Sequence, residues 1–245
     1  MKYAIIAAGE GSRLAAEGVA EPKPLVKLNG EPLVDRLIRI FMDNGASHIV
    51  VICNNLTTLV TQHLEQILHE GLGGRPVPLR YVIKSTPSSM HSFYELSSML
   101  ADQPFIMTTV DTIFREDEFS QYVSAFKSTV EKGCADGLMG VTDYVDDEKP
   151  LYVHTDESLA IDGFLDSNNP PCKYISGGIY GLMPKAILTL NDCIDRGESR
   201  MRNFQRALIR DGLKLNAYAF SKVLDIDHVS DIAKAEHFLQ DMKQE

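Results

Sequence analysis

Tyr3-Ala4-Ile5-Ile6-Ala7-Ala8-Gly9-Glu10-Gly11-Ser12-Arg13-Leu14 is the stretch on which the reading of this chain turns. Its first half, Tyr3–Ala8, is a short apolar run of the kind that forms a buried strand. Gly9 and Gly11 then let the backbone approach a phosphate closely and turn its N–H groups inward. Ser12 adds a donor, and Arg13 adds a fixed charge able to grip phosphate oxygens in a bidentate way. Two common phosphate loops do not match. The dinucleotide fingerprint needs a third glycine, but Ser12, Arg13 and Leu14 follow Gly11. The P-loop pattern G-x-x-x-x-G-K-[ST] is absent. Taken alone, Gly9-x-Gly11 reads equally well as a plain glycine turn.

Ten residues after Arg13 stands Glu21-Pro22-Lys23-Pro24-Leu25. A lysine between two prolines is expected on a stiff, extended stretch, with its ammonium at a defined place. Beyond it the pattern alternates. Short apolar runs at His48–Cys53, Leu79–Ile83 and Phe105–Val110 predict strands. Between them, Leu33, Leu37, Ile40 and Phe41 recur at helical spacing, as do Leu56, Leu59, Val60, His63, Leu64 and Ile67, and then Phe119, Val123, Phe126 and Val130. The first of these helices is expected to end at Asn44-Gly45. Strand alternating with helix predicts a parallel sheet with helices on both faces and ligands at one edge.

The second half is less regular. Leu138–Tyr144 predicts a strand, and Val145-Asp146-Asp147-Glu148-Lys149-Pro150 a turn. Leu151–His154 and Leu159–Leu165 predict a hairpin around Asp156-Glu157, and Tyr174–Leu182 a strand with glycines inside it. Helices are expected from Pro184 and over Phe204–Arg210, and a final strand over Lys214–Phe220. A last helix is expected to open at Ser230-Asp231, with Ile232, Ala235, Leu239 and Met242 on one face. No linker separates the halves, so residues 1–245 read as a single domain with an inserted hairpin region at about 145–173.

Bulk properties narrow the function. A net charge of −10 opposes a nucleic-acid-binding surface but not a nucleotide, which a few local cations and a metal can hold. No apolar run approaches membrane length, and the N-terminal run is too short for a signal peptide, so the expected location is cytoplasmic with no membrane partner. The 4 cysteines show no zinc spacing and are expected as reduced thiols.

Ala-Ala-Gly-x-Gly-Ser-Arg-Leu followed by Pro-Lys-Pro-Leu-Val-Lys-Leu-Asn-Gly-Glu-Pro-Leu resembles the signature of the nucleotidyltransferase superfamily, which includes sugar-1-phosphate nucleotidylyltransferases. The resemblance implies a three-layer α/β/α fold, Rossmann-like and GT-A-like, with a mainly parallel, mixed sheet. It implies that the glycine loop, with Ala8, Gly9, Gly11 and Ser12, wraps a triphosphate. Arg13 and Lys23 would hold phosphates through the transition state.

Magnesium takes hard oxygen ligands, commonly one or two carboxylates beside phosphates and water. Asp111, at the end of the run Phe105–Val110, lies on the expected ligand edge; it would otherwise cap the next helix. The family carries a metal-binding Asp at the equivalent strand end, so the resemblance assigns Asp111 to Mg2+ and to catalysis. In Leu224-Asp225-Ile226-Asp227-His228, two carboxylates at i and i+2 face one side. This resembles the family's Asp-x-Asp segment before its last helix, although His228-Val229-Ser230 replaces the usual Thr-Pro-Glu. Asp225 is favoured as the ligand, with Asp227 as its partner or as support for the loop.

Lys173-Tyr174-Ile175-Ser176-Gly177-Gly178-Ile179-Tyr180 resembles the family's Asn-Ala-Gly-Ile-Tyr strand, which lines the acceptor pocket. Glycines within a strand mark close approach of a ligand or of another element. Lys173, Gly177, Gly178 and Tyr180 are the candidate acceptor residues. The family's upstream Glu-Lys-Pro is replaced by Leu165-Asp166-Ser167. Ser88 and Ser89, in a segment closer to choline-phosphate cytidylyltransferase relatives, are candidate nucleotide contacts or simply a helix cap.

The expected partners are an NTP and a small phosphorylated acceptor, and the expected reaction is release of pyrophosphate to form an NDP-sugar. Transfer to phosphocholine or another phospho-alcohol, and a silent nucleotide-binding regulator, are the alternatives. The sequence leaves the base and the oligomeric state open.

Overall fold

The structure, a computed structural model, describes residues 1–240. Met242, expected on the inner face of the last helix, lies outside the described residues. In chain order the elements are β1 (Lys2–Ala7), α1 (Ser12–Ala16), β2 (Lys27–Leu28), β3 (Glu31–Pro32), α2 (Leu33–Asp43), β4 (His48–Cys53), α3 (Leu59–Glu70), β5 (Leu79–Ile83), α4 (Ser89–Leu100), β6 (Phe105–Thr109) and β7 (Thr112–Ile113). There follow α5 (Glu116–Lys132), β8 (Gly137–Thr142), β9 (Tyr152–Thr155), β10 (Ala160–Leu165), β11 (Tyr174–Leu182), α6 (Ala186–Asp195), α7 (Met201–Arg210), β12 (Leu215–Phe220), β13 (Leu224–Asp225) and α8 (Val229–Gln240).

Every residue of β1 and β8 is buried, as in strands covered on both faces. They belong to a nine-stranded sheet of order β5-β4-β1-β6-β11-β8-β12-β10-β9. β5, β4, β1 and β6 are parallel neighbours. β11 then runs antiparallel to both β6 and β8, β8 and β12 are parallel, and β10 and β9 close the edge as an antiparallel hairpin. Only β11 and β10 run against the other strands, so the sheet is mixed and mainly parallel. The hairpin is part of this sheet, because β9 also pairs with β11.

Alternate residues of β1 serve two cores. Tyr3, Ile5 and Ala7 pack with Leu37 and Phe41 of α2, Leu64 of α3, Phe119 of α5 and Ala235 of α8. Ala4 and Ile6 pack on the other face with Phe93 of α4, Leu190 of α6 and Phe204 of α7. Two helical layers around one sheet give the α/β/α arrangement.

Two local expectations need correction. Leu56 and Leu59 are 63% and 51% exposed, and α3 begins only at Leu59, so Val60, Leu64 and Ile67 carry its buried stripe. Ser230 does not open the last helix. Asp231, one turn in, accepts the backbone N–H groups of His228 at 2.8 Å and Asp227 at 3.2 Å, and so closes the helix start from within. By contrast α2 ends where expected, with Gly45 at φ +74°.

After β1 the chain moves outward to β4 and β5, then crosses back to place β6 on the other side of β1. The strand order therefore reverses between β1 and β6. Loops after these two strands diverge there and leave a crevice, the usual place for a ligand in an open α/β sheet.

Candidate active site

A cavity of about 530 Å³ fills this crevice. The loop Ala8–Arg13 forms its floor, Lys23 and Pro24 one side, and Asp111 and Asp227 another; Ser88 and Ser89 complete the wall. Every candidate catalytic and nucleotide-binding residue therefore meets in one place.

The two loop glycines serve different purposes. Gly11 has φ +63°, and a Cβ on it would sit 3.1 Å from Cβ of Lys23. Gly9 has no left-handed backbone, and a Cβ there would meet nothing within 4 Å. Gly11→Ala is therefore expected to cost about 1 kcal/mol of stability. Gly9→Ala should be within about 0.5 kcal/mol of neutral and act only by filling the cleft. Thermal denaturation of the two variants checks the contrast; equal losses would overturn it.

Lys23 does not lie on an extended segment. Pro22 is extended, but Lys23–Leu25 form a single 3₁₀ turn closed by Leu25 N–H to the Pro22 carbonyl at 2.8 Å. The turn fixes the side chain, which is 10% exposed. Its Nζ donates to Asp111 and, at 2.9 Å, to Asp227 Oδ1. Arg13 Nη1 donates to Asp227 Oδ2 at 2.7 Å. Burial alone would lower the Lys23 pKa, but the charges and hydrogen bonds of Asp111 and Asp227 outweigh it and raise it. Half-burial would likewise raise Asp227, yet Lys23 and Arg13 hold its carboxyl below the usual range.

Asp225 arrives by a separate device. β13 pairs antiparallel with β7, so that Asp225 stands opposite Thr112, and Ile226 N–H donates to the Asp111 carbonyl at 3.2 Å. Asp225 keeps contact with water in the cleft, but the protein packed around it, together with the charges of Asp111, Asp227 and Asp147, pushes its carboxyl well up. It lines a second cavity of about 360 Å³, which adjoins the first through Arg13 and Asp227. Asp227 is thus the carboxylate common to both spaces, a larger part than loop support.

Of the candidate acceptor residues, only Gly177 lines this second cavity. A Cβ on Gly177 would lie 3.2 Å from both the Gly140 carbonyl and Val223, so close packing also demands glycine there. Gly178, at φ +69°, sits in a bulge of β11 beside Thr112. Lys173 and Tyr180 line neither cavity. Lys173 turns outward, its Nζ 5.0 Å from the centre of the Tyr174 ring. Tyr180 is buried in the core on the α7 side, where its hydroxyl accepts from Gln205 Nε2 at 3.5 Å.

The second cavity is walled instead by Tyr144, Asp146, Asp147, Glu148 and Lys149, with Asp231 and Lys234 opposite. The sequence places Tyr144 at a strand end and Asp146–Lys149 in a turn, because a run of charged residues before proline looks like a solvated loop. Thr86, Ser92 and Thr109 of the first cavity were also missed. Thr109 carries a usable signal, since it lies two positions before Asp111 at a strand end. Ser88 does both of its jobs: it lines the cavity and caps α4.

Among the described residues no group of three or more His, Cys, Asp or Glu side chains is arranged to hold a metal by itself. The donors of Asp111, Asp225 and Asp227 are hard oxygens. They suit an ion such as Mg2+, which needs only one or two carboxylates when phosphates supply the rest.

A mixed α/β/α sheet with this crevice places the protein in the class of GT-A-like folds. The chain belongs to the nucleotidyl transferase family, whose model matches residues 2–242. It is similar to the UTP–glucose-1-phosphate uridylyltransferase AglF of Haloferax volcanii, 24% identical over 98% of this chain and 97% of that protein. A CMP-5'-(3-aminopropyl)phosphonate synthase of Streptomyces rubellomurinus is 26% identical over 61% of this chain, and the match spans only 25% of that longer protein. The solved inositol-1-phosphate CTP transferase from T. maritima shares the fold at TM-score 0.77 and 20% identity, over 99% of this chain and 96% of that one. Among the described residues no helix is long and apolar enough to cross a membrane.

Proposed function

We propose that the protein transfers a nucleoside monophosphate from a pyrimidine NTP to a sugar-1-phosphate, forming an NDP-sugar and releasing pyrophosphate. The observation that carries this reading is the convergence of Arg13, Lys23, Asp111 and Asp227 on one cleft with an open glycine floor. The relatives named above support the pyrimidine, since theirs are uridylyl or cytidylyl nucleotides.

An acceptor phosphate, with a second pKa of about 6, is already ionised at neutral pH. One of its oxygens attacks the α-phosphorus in line. The new O–P bond forms as the bond from the α-phosphorus to the bridging oxygen of the β-phosphate breaks, and the electron pair leaves with pyrophosphate. No general base is needed, so catalysis is positioning and charge neutralisation. Lys23 supports the α-phosphoryl group and Arg13 the departing pyrophosphate. Asp111, with Asp225 or Asp227, would hold Mg2+, whose contribution is further neutralisation of phosphate charge.

A second reading is transfer to phosphocholine or another phospho-alcohol. The carboxylates of Asp147 and Glu148 in the second cavity favour it, because they suit a cationic head group, although Lys222 already stands 4.0 Å over the Tyr144 ring and Lys234 pairs with Asp146.

Pyrophosphate release across CTP, UTP, dTTP, GTP and ATP, each against a panel of sugar-1-phosphates and phosphocholine, tests both. Turnover with CTP or UTP and a sugar-1-phosphate is expected. Turnover with phosphocholine alone would select the second reading. NTP binding without release from any pair would overturn transfer in favour of a regulatory nucleotide-binding protein.

A further inference from the structure

Arg13 and Lys23 already engage the carboxylate oxygens that a divalent cation would require. Arg13 takes Asp227 Oδ2 and Lys23 takes Asp227 Oδ1, so each oxygen of Asp227 faces a protein cation. Lys23 also binds Asp111 Oδ2. Lys23 is held there by its 3₁₀ turn and by the close approach of Gly11, and little of it reaches water. Carboxylates this near one another repel strongly in a partly dry site, and a fixed ammonium between them relieves that repulsion. A second cation arriving at the same oxygens would gain less from them and would itself repel the ammonium.

We propose that Lys23 is a built-in counter-ion that keeps the carboxylates of Asp111 and Asp227 occupied until a triphosphate draws its ammonium away, so that nucleotide and divalent cation enter by exchange of partners. Lys23 then passes from carboxylates to phosphates, leaving the oxygens of Asp111 and Asp227 as those that would hold the metal. The free enzyme is thereby kept from loading metal without nucleotide. This rests on the nucleotidyl-transfer reading.

The test is Mn2+ binding to nucleotide-free protein, followed by the electron paramagnetic resonance signal of the free ion, for wild type, Lys23→Met and Lys23→Arg. Lys23→Met is expected to bind Mn2+ at least roughly tenfold more tightly than wild type, since a unit charge within a few ångströms of the site has gone. Lys23→Arg, which keeps the charge, should stay near wild type. The same Lys23→Met protein should bind metal-free UTP or CTP more weakly by calorimetry, so the two affinities move in opposite directions. A folded Lys23→Met that binds Mn2+ no more tightly than wild type would overturn the proposal. If Lys23→Met does not fold, Lys23→Gln, which removes the charge but keeps a polar side chain, should show the same tightening, and a folded Lys23→Gln without it would overturn the proposal. Failure of pyrophosphate release with the Mn2+ result intact would remove the transfer reading and leave the counter-ion standing.

Discussion

Asp111→Asn is expected to lower pyrophosphate release by roughly a hundred- to thousandfold, the usual loss when a group that stabilises developing charge is removed. The substitution keeps the shape and the backbone and removes one negative charge. Lys23 is not left stranded, because Asp227 still accepts from its Nζ at 2.9 Å. The stability cost is therefore about 1 kcal/mol, short of what a fully orphaned buried charge exacts. For a chain of this size that is a fall in Tm of about 3 °C. Parallel measurement of turnover and melting separates the two effects. A variant that melts far earlier, with activity lost in proportion, would mean that Asp111 is structural.

The largest effect on stability is expected at Phe119, in the wall of rings behind the same strand end. Phe119 is fully buried and stacks on Phe114 at 4.7 Å and Phe41 at 5.7 Å, with Tyr122 at 5.9 Å and Tyr3 at 6.5 Å. Four neighbours drawn from β1, α2, α5 and the segment after β7 cannot collapse together into the space a ring leaves. Phe119→Ala should therefore cost about 3–5 kcal/mol, or about 10 °C in Tm. Phe114 follows Asp111 by three residues, and its carbonyl accepts from buried Arg36 at 2.6 Å. The damage should thus reach the cleft. A loss below about 1.5 kcal/mol in urea denaturation would show that the cluster repacks.

The parallel half of the sheet was legible because its signals are local. Short apolar runs mark β1, β4, β5 and β6 to within a residue or so, whereas the glycine loop alone reads equally well as a plain turn and gains its meaning from the Pro-Lys-Pro segment that follows. The residues alone leave Asp111 balanced between the ligand edge and a helix cap; it lines the cleft. What the residues alone could not settle was set by distant pairings. Whether Asp225 or Asp227 shares Lys23 depends on the short ladder between β13 and β7 and on an ion pair that spans 204 residues. The resemblance points Tyr180 at an acceptor pocket, but in this chain β11 bulges between Ser176 and Ile179 and Tyr180 is buried in the core on the α7 side. The acidic wall of the second cavity is not legible because a solvent-exposed charged turn reads the same whether or not it borders a cleft.

The ladder between β7 and β13 also governs when the site comes into being. Lys23 and Asp111 are 88 residues apart, but Arg13 reaches Asp227 across 214. During synthesis the four parallel strands and their helices leave the ribosome long before the segment that carries the last two carboxylates. A nascent chain therefore has its glycine loop, Lys23 and Asp111 in hand while the Asp225–Asp227 segment is still untranslated. Asp225 and Asp227 thus join the cleft only after the parallel strands have been made. A premature stop shortly before β13 would yield a product with much of the sheet and only part of the charge that the cleft needs.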